Sequence, residues 1–66
     1  MEHHVVHVAV DWGVEGMPIA DYCAEEWAAY LFAAEATRQH LARRVIVDSR
    51  VGPSMPELPY QRLYLP

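Results

Sequence analysis

The 66 residues carry 9 acids against 5 bases, a formal charge of −4, with 53% of positions apolar. That apolar share is too high for a disordered chain, and the acidic balance argues against a nucleic-acid binder, which needs a basic patch. Cys23 is the single cysteine, so no intrachain disulfide can support a domain that buries only about 60% of its unfolded surface; a metal, a second subunit or an unusually good core must help.

In chain order, residues 4–12 (HVVHVAVDW) alternate, with Val6, Val8, Val10 and Trp12 on one face and Val5, His7, Ala9 and Asp11 on the other. Period two predicts a half-buried strand. The opening MEHHVVHVAV lacks the basic start and long apolar run of a signal peptide. No stretch reaches the roughly 18 apolar residues of a membrane span, so a cytoplasmic protein is expected. Gly13 and Gly16 in DWGVEGMP predict a loop.

From Pro18 or Asp21 to about Arg43 no residue breaks a helix. At 100° per residue, Ile19, Cys23, Trp27, Tyr30, Leu31, Ala34 and Leu41 form one stripe, expected to lie on the sheet. The opposite side carries Ala28, Ala29, Phe32, Ala33 and Ala36. Small residues around one aromatic suit close helix packing, so this second dry face is expected to meet a partner, most simply a second copy about a two-fold axis.

Arg44–Val51 (RVIVDSRV) reads as a second strand, ended by Gly52-Pro53. Three prolines in GPSMPELP exclude a central strand there, and their P-x-x-P spacing is that of a polyproline ligand. Tyr60–Leu65 reads as a third, edge strand, with Tyr60 and Tyr64 able to join an interface. The expected fold is a single α+β domain over residues 1–66, in the order β-α-β-β, with one long helix on a three-stranded sheet.

No motif for catalysis stands out. His3, His4 and His7 on a strand span too far for one ion, about 13 Å over four residues, so no metal or other cofactor is expected. Cys23, in the stripe, is expected to be an inert core thiol. His7 and Asp11 are acid–base candidates only if a site forms between subunits. Glu15, Asp21, Glu25 and Glu26 compose an acidic end that could dock on a basic partner. The expectation is a small non-enzymatic interaction protein of inhibitor or adaptor type, bacterial or phage in its arginine-only composition, acting as a homo-oligomer on another macromolecule. The alternative is a ligand-binding oligomer with a pocket lined by Trp12, Trp27, Tyr30 or Tyr64.

Overall fold

A computed structural model of the chain describes residues 4–58. Its elements are β1 (Val5–Asp11), β2 (Ala20–Glu25), α1 (Glu26–Arg38) and β3 (Arg44–Asp48). The three strands form one antiparallel sheet in the order β2-β1-β3. One helix on a three-stranded sheet is the expected α+β architecture. The order of elements within the described residues is β-β-α-β, because residues 20–25 are extended and not helical. The expected strand Tyr60–Leu65 lies outside the described residues.

β1 is central because its valines supply a complete inner face: Val6, Val8 and Val10 are 5%, 0% and 0% exposed. Opposite residues of an antiparallel pair share a face. The register Val6↔Ala24, Val8↔Tyr22, Val8↔Val47 and Val10↔Val45 therefore gathers the inner side chains of all three strands under α1. Residues 12–19 connect β1 to β2. Gly13 and Gly16 take φ of +74° and +82°, a region open to glycine at little cost, and the Met17 N–H closes a turn on the Val14 carbonyl.

β2 passes into α1 with no intervening loop. Glu25, the last strand residue, is also the N-cap, in extended geometry and without a side-chain cap. The Glu26 N–H donates to the His4 carbonyl at 2.7 Å, so the residue just before β1 satisfies one of the helix's first donors. At the other end the Leu41 N–H returns to the Ala36 carbonyl and the His40 N–H to Thr37. His40 stands at φ +55°. These are the two bonds of a Schellman ending, with His40 where glycine is usual. The helix stops there, five residues short of the expected Arg43, and the chain is free to enter β3.

The faces of the helix are exchanged relative to the sequence expectation. Ala28, Ala29, Phe32 and Ala36, expected at a partner interface, are 0–3% exposed within the single chain and close the core. Ala33 is half-buried. The reason is steric: alanines let the helix backbone sit close on a sheet paved with valine, and Phe32 fills the remaining gap. Its ring meets Trp12 edge-on, with centroids 6.5 Å apart at 70°. Of the stripe expected on the sheet, Tyr30 is 57% and Leu31 46% exposed, while Ile19 and Leu41 lie outside the helix altogether. Leu58 completes the core from the C-terminal side, where Pro56–Leu58 runs beside β2. Cys23 gives its N–H to the Pro56 carbonyl and accepts from the Leu58 N–H, one parallel bridge on the outer edge of β2. The P-x-x-P segment is thus spent, at Pro56, on backbone pairing within the chain.

Candidate functional site

The helix covers one side of the sheet. On the other side, alternation places Val5, His7, Ala9 and Asp11 of β1 beside Asp21, Cys23 and Glu25 of β2 and Arg44, Ile46 and Asp48 of β3. His7 is the centre of this face and is 9% exposed. Its Nε2 lies 2.7 Å from Asp21 Oδ1 and its Nδ1 2.9 Å from Asp48 Oδ1. One side chain on the middle strand thereby joins both neighbours. Carboxylates only accept, so holding both bonds at once requires an N–H on each ring nitrogen, which is the imidazolium.

The electrostatics follow from that geometry. The hydrogen bond to Asp21, then that to Asp48, holds the His7 pKa above its ordinary 6.5, against the opposing effect of burial. Asp48 is held below its usual value, first by the Arg50 N–H that donates to Oδ1 at 2.8 Å and next by His7. With both ring nitrogens engaged, His7 has none left for a substrate proton. Asp11, its expected acid–base companion, instead accepts the Gly13 N–H at 2.9 Å. Among the described residues no group of three or more His, Cys, Asp or Glu could hold a metal ion; His3 lies outside them.

Cys23 is not under the helix. It is half-buried on the open face, opposite His7, and its Sγ donates to the Met55 carbonyl at 3.4 Å. Of the four acids expected to form one patch, only Asp21 and Glu25 lie on β2. Glu15 is in the preceding loop, Asp21 is held by His7, Glu25 accepts from Trp27 Nε1, and Glu26 opens the helix. Asp21 and Glu25 alone are separated by about 13 Å of strand. Within the single chain, the aromatics expected around a pocket between subunits fall on different sides of α1. Trp12 packs into the core with Phe32, whereas Tyr30 points away from it. Tyr60 and Tyr64 lie outside the described residues.

What the fold leaves uncovered is an apolar stripe on the outer side of α1: half-buried Trp27, then Tyr30, Leu31 and Ala34 at helical spacing, with Arg38 at its end. Arg38 is paired within the helix to Glu35 at 2.8 Å, which holds the Glu35 pKa low. No family model, curated protein or solved structure matches this chain. Among the described residues no helix is long and apolar enough to cross a membrane.

Proposed function

We propose that this is a non-enzymatic interaction protein of inhibitor or adaptor type, docking the outer stripe of α1 into an apolar groove of a partner protein. The observation that carries the reading is the exposure of Tyr30 (57%) and Leu31 (46%) on a helix whose opposite face already closes the core. Tyr30 and Leu31 stand outside the chain's own core, and Trp and Tyr are the residue types that dominate interface energetics. A helix laid in a groove through anchors at i, i+3 and i+4 is a recurrent recognition mode, and Trp27, Tyr30 and Leu31 have that spacing. Glu25 and Glu26 at the start of the helix favour cationic groups on the rim of such a groove.

A photo-cross-linking residue at position 31, introduced in the native host, tests the reading. A discrete adduct of a second protein is expected at 31 and not at exposed Ser54, and it should vanish when Tyr30→Glu is added. Equal labelling at both positions would remove the stripe's claim, and an adduct of two copies of this chain would make the stripe a self-association surface.

A further inference from the structure

We infer that two copies of the chain pair through the outer edges of β3, antiparallel about a two-fold axis at Ile46, joining their sheets into one of six strands. β3 hydrogen-bonds to β1, and no strand among the described residues pairs with its other edge. Such an edge templates another strand unless something blocks it. Proline, lysine or a bulge would do so, and the run Arg44-Val45-Ile46-Val47-Asp48 has neither proline nor lysine.

The run is instead complementary to itself. Laid antiparallel about its middle residue, it sets Ile46 against Ile46 of the second copy, Val45 against Val47, and Arg44 against Asp48. Symmetry makes the last pair twice. Opposite charges directly across a pair of strands attract and like charges repel, so this register is favoured, whereas a shift of one residue would break both ion pairs. The groups are poised for it. Arg44 is exposed and has no ion pair among the described residues. The bonds Asp48 makes to His7 and to the Arg50 N–H both fall on Oδ1, which leaves Oδ2 to accept from an arginine. Ile46 is 40% exposed on the open face, and Val45 and Val47 are only half-buried beneath the helix. The axis stands perpendicular to the sheet, so both helices lie on one side of it and both outer stripes remain free. The pairing is therefore independent of the proposed docking of α1.

The test is the solution mass of the whole chain together with directed oxidation. Sedimentation equilibrium should give a concentration-dependent rise from the 7.5 kDa subunit toward twice that value. In a Cys23→Ala background, I46C should form an intersubunit disulfide on mild oxidation, because directly opposed strand residues fall within disulfide reach. R44C should not, since the two copies of residue 44 lie about 13 Å apart along the strands. Arg44→Asp, which turns two attractions into two repulsions without touching His7 or the core, should raise the dimer dissociation constant about tenfold. A subunit mass at every concentration, or equal cross-linking by I46C and R44C, would overturn the edge pairing. Either result would leave the cross-linking test at position 31 to decide the role of the helix.

Discussion

His7 links three strands with one ring, and its worth depends on a proton. Its folded pKa is raised above 6.5, so the stabilisation it gives is fully present below that value and is lost as pH rises through the folded pKa. Asp48 works in the opposite sense: its folded pKa is depressed, so its contribution is present above 3.8 and is lost as pH falls through the lowered value. The clasp is therefore strongest between about pH 4 and 6.5. The urea midpoint should decline on the alkaline side of that window, and His7→Gln should flatten the decline. Identical alkaline slopes for the two proteins would show that His7 is not the titrating group. Phe32 is the other decisive residue. At 3% exposure in a core whose other buried residues are valines, alanines and Leu58, truncation to alanine should cost about 3–5 kcal/mol. Total stability is only about 5–15 kcal/mol for a domain, so thermal unfolding of F32A should begin near room temperature. Loss of fold, and not loss of a partner, is the expected consequence of changing it.

At the level of elements, the C-terminal end of α1 and the β1–β2 loop each rest on a local device with its own test. His40 holds a left-handed position that costs a side chain about 1–2 kcal/mol, so His40→Gly should stabilise by about 1 kcal/mol, seen as a higher urea midpoint with an unchanged slope. Gly13 and Gly16 form a matched pair in the β1–β2 loop. Both have positive φ, but a Cβ on Gly13 would come within 3.0 Å of Arg43 Cβ, whereas one on Gly16 meets nothing within 4 Å. Gly13→Ala should therefore cost more than the roughly 1 kcal/mol expected of Gly16→Ala from backbone strain alone. The same devices explain what could be read in the sequence. β1 and β3 were legible because valine alternation is a strong period-two signal. β2 was not: Ala20-Asp21-Tyr22-Cys23-Ala24-Glu25 is made of residues with little strand preference and merges with a good helix former. Only pairing with β1 makes it extended. The end of the helix was hidden because histidine occupies the position where glycine would have announced a stop. Bulk points to the wrong inner face, because a sheet of valines accepts a helix whose contact side is mostly alanine. The His7 clasp required the pairing of β1 with both neighbours, so its spacings, 7 to 21 and 7 to 48, carry no local signal.

For the whole molecule, the thinness of the core sets the argument. Its large inner side chains are few, so the segment after β3 has to contribute, and it does so by bringing Leu58 to 2% exposure while Cys23 exchanges backbone bonds with Pro56 and Leu58. This contact links the C-terminal side of the described chain to β2, the strand farthest from β3 in the sheet. Closing the fold in this way protects one sheet edge over residue 23, whereas the outer edge of β3 has no strand partner among the described residues. Leu58→Ala should then do two things at once. It should destabilise the domain by about 2–5 kcal/mol through the lost burial and the cavity left behind. It should also speed hydrogen exchange at the Cys23 amide, whose acceptor is the Pro56 carbonyl, more than at the amides within the β1–β3 ladder. Uniform acceleration across all three strands would mean that the segment unfolds only with the whole domain, and that β2 gains no separate protection from it.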